Sequence, residues 1–345
     1  MKIRSGSTID LYENMKALAW ELILRIFLSR DDEDTGNQSV RQKVCALQET
    51  LLRGQFSLFP VSVNTRWWKS SRAKGIEARL ELQNLLKDHV EGSMSKCPFM
   101  TSTDDEKHDV ASHLLLFTSS LAAKALASLL TALLLNLFVT HHEQDDAMPL
   151  AELIKKFTHP DKQDHFIRSI MKETERLSPP IVGIMRRTTE DVILSNHEQS
   201  TRETLIPKDW DTWLYFVGAA RDPAVFGPTA EIFQADRYRT HAPSQLEGFA
   251  FGAGPKTCLG QELMRNVCTQ VIKILLGLGQ LDTSQSVPSN ITLHCYKRDL
   301  PLGVQGWLGL SPGIKPEDWA RDMKQLPTQR PTKPVKVTIT HVSDT

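Results

Sequence analysis

The residues best suited to chemistry in this chain of 345 residues lie between Phe251 and Gly260. This loop reads Phe-Gly-Ala-Gly-Pro-Lys-Thr-Cys-Leu-Gly and leads into Gln261 to Gly277, whose apolar residues recur with helical periodicity. Unpaired N–H groups and the positive dipole end of a helix favour an anion, so a thiolate is favoured at Cys258. The glycines leave room for a flat, bulky ligand, with the sulfur approaching a metal at its centre.

A plainer interpretation of the same loop stays open. Free cysteine is among the most buried residue types, and Cys258 would then be an inert thiol packed in a glycine-containing turn before a helix. The two interpretations differ in whether the sulfur is accessible.

Composition and cysteine usage narrow the class of protein. The 41 basic and 41 acidic residues cancel, which argues against bulk attraction to nucleic acid, and no nucleic-acid partner is predicted. The five cysteines are odd in number and lack C-x-x-C spacing, so neither a disulfide framework nor a zinc site is indicated. A reducing or cytosol-facing location follows. The first residues, Met1 to Ser7, lack the apolar run of a signal peptide or membrane anchor.

Apolar periodicity predicts a mainly α-helical protein with a minor β-sheet. The pattern predicts helices over 8–28, 40–53, 75–89, 165–177 and 261–277, and short strands within 181–194 and 210–217. The segment from Val110 to Val139 is the most apolar and is nominally long enough to span a bilayer. Its hydroxyl side chains and Lys124 instead favour one long central helix of a protein core.

Two further groups of residues are notable. Glu173 and Arg176 share a helix face at i and i+3, a pair that is often mere surface decoration. The pair Trp67-Trp68 is flanked by basic residues on both sides. It predicts either contact with a membrane interface, where indoles and basic residues are both favoured, or a loop whose tryptophans cap the core.

The spacing Phe-x-x-Gly-x-x-x-Cys-x-Gly, formed by Phe251, Gly254, Cys258 and Gly260, resembles the signature loop of the cytochrome P450 family. The resemblance implies a cytochrome P450-like fold that holds haem b (iron protoporphyrin IX) through the thiolate of Cys258. Phe251 would pack beside the haem and tune the surroundings of the sulfur.

The same resemblance assigns roles to residues outside the loop. Glu173, Arg176 and Arg237 would form the buried structural triad of the family, in which guanidinium groups bind one carboxylate. Arg186 and Lys256 would contact the haem propionates, with lysine acting as a point charge.

The chain departs from the family pattern in its central helix. Members usually carry a small-Gly-x-acid-Thr run that delivers protons to bound dioxygen. If the turn from Phe117 to Lys124 matches it, Leu121 and Ala122 stand at the acid and threonine positions and cannot relay protons. The nearby hydroxyls of Thr118, Ser119 and Ser120 are the remaining catalytic candidates, and they too can bond to the carbonyls of their own helix.

The resemblance spans about residues 8–280 and is strongest over 165–277, and it implies a single cytochrome P450-like domain over 1–345 with an atypical C-terminal part at 281–345. The family's N-terminal anchor, first sheet and early helix have no counterpart here, so the resemblance implies a fold incomplete at its N-terminus.

The resemblance implies an oxidoreductase, a monooxygenase that inserts one oxygen atom from O2 into a lipophilic molecule such as a sterol, a retinoid or a fatty acid. A monomer is expected, with electrons from an NADPH-dependent reductase docking near Lys256 and Arg265, in a cytosol-facing place that includes the endoplasmic-reticulum membrane. Two alternatives stay open. One is a haem-thiolate isomerase or dehydratase acting on a hydroperoxide, and the other is a catalytically silent haem-binding protein.

Overall fold

The structure is a computed structural model that describes residues 8–28, 35–57, 61–94, 103–138, 149–195, 203–240, 249–278, 291–295, 323–324, 328–331 and 335–341. The chain divides into two compact units. The N-terminal unit is Ser7–Thr131 with Lys333–Thr338, and the C-terminal unit contains Ala132–Thr332. Each unit is described by itself, and a single domain over 1–345 stays a prediction.

The elements follow one another along the chain with helices predominating, which confirms the mainly α-helical class. The helices are α1 (Leu11–Leu28), α2 (Thr35–Gln55), α3 (Ser71–Met94), α4 (Asp104–Phe117), α5 (Ser120–Phe138), α6 (Leu150–Lys155), α7 (Pro160–Leu177), α8 (Phe216–Ala219), α9 (Pro223–Phe226), α10 (Arg237–Thr240) and α11 (Gln261–Leu275). The strands are β1 (Thr8–Asp10), β2 (Gly183–Arg187), β3 (Val192–Ser195), β4 (Glu203–Ile206), β5 (Asp211–Tyr215), β6 (Ile291–Cys295), β7 (Met323–Lys324), β8 (Arg330–Pro331) and β9 (Lys336–His341).

In the N-terminal unit, β1 pairs antiparallel with β9, with Thr8 opposite Thr338. Helices α2 and α3 approach each other closely at two glycines. A Cβ added to Gly75 would lie 2.9 Å from the Cα of Gly54, and a Cβ added to Gly54 would lie 2.7 Å from the Cα of Gly75. Backbone meets backbone here, so no side chain fits at either position.

This contact makes a substitution at Gly75 costly. Although alanine favours a helix over glycine by about 1 kcal/mol, the added methyl must push the two backbones apart. We expect Gly75→Ala to lower the free energy of unfolding by about 1–3 kcal/mol, measured by urea denaturation followed by circular dichroism. Arg79→Ala, on the exposed side of the same helix, should change it by less than about 0.5 kcal/mol. A Gly75→Ala variant as stable as the native chain would contradict the close contact.

The predicted long central helix is two helices, α4 and α5, separated at Thr118 and Ser119. The hydroxyl of Thr118 donates to the carbonyl of Leu114 at 2.7 Å, and the hydroxyl of Ser119 accepts from the backbone N–H of Ala122 at 3.2 Å. Such local side-chain bonds compete with the helical ladder and favour a break, which the apolar pattern alone did not indicate.

The stretch Asp104–Phe138 satisfies the length and composition of a membrane-crossing helix, yet 78% of its most apolar window is buried inside the protein. From Leu126 to Phe138 every residue is buried. This pattern is typical of a core helix, as the polar interruptions of the sequence predict.

The C-terminal unit is organised around α7, whose last two turns are buried throughout. Two antiparallel hairpins follow: β2 pairs with β5, with Arg187 opposite Asp211, and β3 pairs with β4, with Val192 opposite Ile206. The Pro179-Pro180 step after α7 is incompatible with continuing the helix, and the chain turns there into β2.

Candidate functional site

The cysteine loop of the C-terminal unit, residues 249–260, is folded by backbone hydrogen bonds. The N–H of Gly252 donates to the carbonyl of Phe249 at 2.8 Å, and the N–H of Cys258 donates to the carbonyl of Phe251 at 2.8 Å. A short 3-10 helix, Gly254–Lys256, lies between them. The second bond brings the cysteine back beside the phenylalanine, seven residues earlier in the chain.

Two glycines make this loop geometry accessible. Gly252 has φ +77° and Gly254 has φ +66°, which lie in the left-handed region that favours glycine. A Cβ on Gly254 would meet nothing within 4 Å, and one on Gly260 would lie 3.8 Å from the sulfur of Cys258. The surroundings of these glycines are therefore open rather than packed.

The sulfur of Cys258 is accessible from solvent at the start of α11, three residues before its first helical residue. The interpretation of Cys258 as a buried, inert cysteine is therefore wrong. Cys268, within α11, has that character: it is buried, and desolvation raises the pKa of its thiol. The neighbouring Leu259 is 89% exposed, so the loop presents an open apolar and sulfur-bearing surface.

These residues fit the chemistry of a haem site. Within the described ranges no group of three or more His, Cys, Asp or Glu side chains could hold a metal ion by itself. A metal at Cys258 would therefore take most of its ligands from a group other than these side chains, as iron does in a macrocycle with one thiolate axial ligand. The open surface beside the glycines leaves space for that macrocycle.

The two basic residues assigned to propionates are both exposed. Arg186 lies on β2, where one guanidinium nitrogen donates to the carbonyl of Met185 at 2.9 Å, and Lys256 ends the 3-10 helix. In the part of the chain that the structure describes, neither side chain makes an ion pair with an acidic residue. Both are available to an anionic group, and their role stays a prediction.

Glu173, Arg176 and Arg237 lie together in the C-terminal unit, and all three are buried. Arg176 donates to both carboxylate oxygens of Glu173, at 2.8 and 2.7 Å. The Nε of Arg237 lies 3.1 Å from each of the same oxygens. The backbone N–H of Gln234 adds a fourth donor at 2.9 Å. One carboxylate thus serves two guanidinium groups.

The remaining donors of the two arginines hold the chain from 220 to 237 against α7. Arg176 donates to the carbonyls of Ala220 and Ala230, and its guanidinium lies 4.8 Å from the ring centre of Phe226. Arg237 donates to the carbonyl of Thr229 at 2.8 Å. Because these carbonyls lie in irregular segments, the arginines replace the hydrogen bonds that regular secondary structure would supply.

Sequence reasoning missed a second ion pair, between Glu175 on α7 and Arg265 on α11. Arg265 donates to the two carboxylate oxygens at 3.0 and 2.7 Å, and its guanidinium lies 5.2 Å from the ring centre of Phe251. The contact joins α7, α11 and the cysteine loop. The signal in the sequence was weak: a second acid within Glu-Thr-Glu-Arg and an arginine one turn into the helix after the cysteine.

This pairing corrects the expectation that Arg265 offers its charge to a docking reductase. The guanidinium is bound bidentately by Glu175 and lies 3.6 Å from the carboxylate of Glu262. With two acids beside it and an aromatic ring on one face, Arg265 is an internal contact. Lys256 remains the exposed cation of this pair of candidates.

The hydroxyls at the break between α4 and α5 are engaged within the N-terminal unit. Thr118 donates to Leu114 and accepts from the side-chain amide of Gln48 at 3.3 Å. Ser120 donates to Glu49 at 2.8 Å, and the ammonium of Lys124 lies 2.7 Å from the same carboxylate. These contacts position α2 against α5, and a catalytic role for the three hydroxyls stays a prediction.

Glu175 and Glu49 have pKa shifts of opposite sign. Burial raises the pKa of Glu175 above the ordinary value of 4.5, although Arg265 opposes the change. Burial acts in the same direction on Glu49, but the hydrogen bonds from Lys124 and Ser120 outweigh it and hold its pKa below 4.5.

The two shifts predict opposite dependences of stability on pH. A raised folded pKa stabilises the protein below 4.5 and is lost as the pH rises through it, whereas a lowered one stabilises above 4.5 and is lost as the pH falls. We expect the Tm difference, native minus Glu175→Gln, to fall with rising pH, and the difference for Glu49→Gln to rise. Thermal melts from about pH 3 to about pH 8 test this. Slopes of equal sign would contradict the two assigned environments.

Comparison with known proteins places this geometry. Residues 123–288 match the family model for cytochrome P450, a range that includes α7, the triad and the cysteine loop. Cytochrome P450 26A1 of Xenopus laevis is 23% identical over 290 residues, which are 76% of this chain and 56% of that protein. Cytochrome P450 714C2 of Oryza sativa subsp. japonica is 29% identical over 130 residues, 36% of this chain and 23% of that protein.

The fold is similar to solved structures of the same class of haem protein. The structure of retinoic acid bound cyanobacterial CYP120A1 covers 98% of this chain and 70% of that chain, with a TM-score of 0.64 and 17% sequence identity. This fold and its cysteine loop are those of a haem-thiolate protein. The chain belongs to the cytochrome P450 family. It spans between about a fifth and about half of the length of the curated relatives it matches.

Proposed function

We propose that this chain binds haem b through Cys258 and takes part in inserting one oxygen atom from dioxygen into a lipophilic small molecule. The observation that supports the proposal most is the exposed sulfur of Cys258, on a glycine-containing loop at the start of α11, in a family whose members hold haem. Haem supplies the redox chemistry when bound. The residues of the chain supply the ligand, the orientation and the electrostatics.

The protein groups around the sulfur have separate tasks in this proposal. Cys258 provides the axial thiolate, and Phe251 lies at the base of the same loop, where Arg265 stacks on its ring. Lys256 and Arg186 are exposed cations suited to carboxylate groups. The buried triad of Glu173, Arg176 and Arg237 holds the preceding segment in place without contacting the reaction.

The contacts of the hydroxyls favour a second candidate function. Reductive activation of dioxygen needs protons, and the hydroxyls of Thr118 and Ser120 already donate to Leu114 and Glu49. Rearrangement or dehydration of a hydroperoxide needs no reductase and no external proton relay. A catalytically silent haem-binding protein is the third candidate.

For the substrate we propose a lipophilic class that includes retinoids, sterols and fatty acids, with retinoids tested first because a retinoic acid bound structure shares the fold. The electron donor would be an NADPH-dependent reductase that contacts Lys256, and the chain would act as a monomer. We place the protein on the cytosolic side, at the endoplasmic-reticulum membrane.

One pair of assays separates the candidates. The haem-loaded chain is incubated with retinoic acid, NADPH and a reductase, and in parallel with a fatty-acid hydroperoxide alone, and products are identified by mass spectrometry. The proposal expects an oxygenated product that requires both NADPH and reductase. Turnover of the hydroperoxide alone would favour the isomerase or dehydratase, and no product in either assay would favour the silent protein.

A further inference from the structure

A hairpin between α2 and α3 holds two tryptophans in solvent. Trp67 is 90% exposed and Trp68 is 60% exposed, so the interpretation that they cap the core is wrong. The turn is closed by Thr65, whose N–H and hydroxyl both donate to the carbonyl of Trp68, at 3.0 and 2.8 Å. The N–H of Trp68 donates back to the hydroxyl of Thr65 at 3.0 Å. The exposure therefore belongs to an ordered turn.

The base of the hairpin is fixed to the start of α3. The buried hydroxyl of Ser70 accepts from the N–H of Val63 at 3.0 Å and donates to the carbonyl of Val61 at 3.2 Å. The same oxygen accepts from the N–H of Ala73, in the first turn of α3, at 3.2 Å. We call residues 63–70 the indole hairpin. It stands on the pair of helices joined at Gly54 and Gly75, so its tip is held on a stable base.

The surroundings of the indole hairpin are strongly basic. Between residues 61 and 80 there are five basic residues and one acidic residue, Glu77. That acid pairs with Lys69 at 2.7 Å. Arg66 lies over the ring of Trp67, 5.8 Å from its centre. Arg72 and Lys74 are exposed on the first turn of α3. The local charge is therefore positive and largely uncompensated.

Exposed apolar side chains extend this surface beyond the two indoles. Val61 is exposed before the hairpin, and Ile76 and Leu80 are exposed one helical turn apart on α3, in line with Arg72. Apolar side chains beside unpaired basic residues are the combination that a membrane interface with anionic lipids accommodates. Tryptophan is the side chain most enriched at that depth, together with tyrosine.

We propose that the indole hairpin inserts Trp67 and Trp68 into the interface of an anionic phospholipid bilayer, with Arg66, Arg72 and Lys74 on the headgroup phosphates. Charge complementarity selects this occupant. A stable protein partner requires about 800 Å² of surface from each side, whereas a narrow turn with its indoles projecting offers a tip. The inference is independent of haem binding, since every contact that carries it lies within the N-terminal unit.

Vesicle flotation of the full chain tests this proposal with a matched control. Vesicles of phosphatidylcholine with about 30% phosphatidylserine are compared with vesicles of phosphatidylcholine alone. The variants are Trp67→Ser with Trp68→Ser, and Arg66→Gln with Arg72→Gln and Lys74→Gln. The control is Trp210→Ser with Lys208→Gln, because Trp210 is also 60% exposed yet lies between the exposed acids Asp209 and Asp211.

The native chain should bind the anionic vesicles and lose this binding as salt is raised, since exposed charges are screened. Removing the two indoles should weaken binding by about tenfold or more. Each neutralised basic residue should weaken it by about fivefold. The control should bind like the native chain. Trp fluorescence quenching by brominated lipid should be lost with the indoles and kept in the control.

Unchanged flotation of the double tryptophan variant, with circular dichroism showing a folded chain, would overturn the proposal. Equal binding to neutral and anionic vesicles would overturn the role of the basic residues. Concentration-dependent dimerisation without vesicles, abolished by the same variant, would assign the hairpin to a second copy of the chain instead.

Discussion

Replacing Glu173 with glutamine is expected to destabilise the C-terminal unit by about 3–5 kcal/mol. The carboxylate is fully buried and receives the guanidinium groups of Arg176 and Arg237, which are buried with it. Without its charge, two cations remain in the core with only backbone carbonyls as partners. Since a domain is stable by about 5–15 kcal/mol in total, we expect a large fall in the Tm measured by calorimetry.

The matched control for Glu173 is Glu262→Gln on α11. Its carboxylate is exposed and lies 3.6 Å from Arg265, a pair of the kind that contributes at most about 1 kcal/mol. The control should unfold within a degree or two of the native chain. If Glu173→Gln melts with the control, the buried triad does not hold this unit together.

Replacing Cys258 with alanine is expected to reduce haem affinity more than any other substitution of the loop while leaving the apo chain as stable as before. The sulfur is exposed, and the backbone N–H that donates to Phe251 is retained by alanine. Outer partners of metal ligands already change affinity by about 10–100-fold, so loss of the ligand should exceed that range. Haem titration followed by absorbance measures the affinity, and thermal melts measure the stability.

Cys45→Ala is the matched control for this substitution. Cys45 lies half-buried on α2, in the N-terminal unit, and its thiol has no part in the proposed site. Its haem affinity should equal that of the native chain. Equal affinity of the Cys258→Ala variant and this control would remove Cys258 from the site.

Long periodic elements and the cysteine loop could be predicted from the sequence because their determinants are local. Helices such as α7 and α11 follow from apolar residues repeating along one face, and Pro179-Pro180 marks the end of α7. The glycines with positive φ belong to a pattern of fixed spacing around Cys258. Each of these signals lies within a short window of sequence.

The remaining features depend on contacts between distant residues. Glu175 and Arg265 are 90 positions apart, and no local pattern indicates that they meet beside Phe251. The break in the central helix depends on hydroxyl bonds that compete with an otherwise helical pattern at Thr118 and Ser119. The exposure of Trp67 could not be deduced either, because an indole suits both a core and an interface.

The reduced carbon monoxide difference spectrum of the purified, haem-loaded chain tests the central claim most directly. The account predicts the absorption band of a thiolate-ligated haem in the native chain and in Cys45→Ala, and its loss in Cys258→Ala. A native spectrum without the thiolate band, or the same band after removal of Cys258, would contradict the proposal that this loop holds haem.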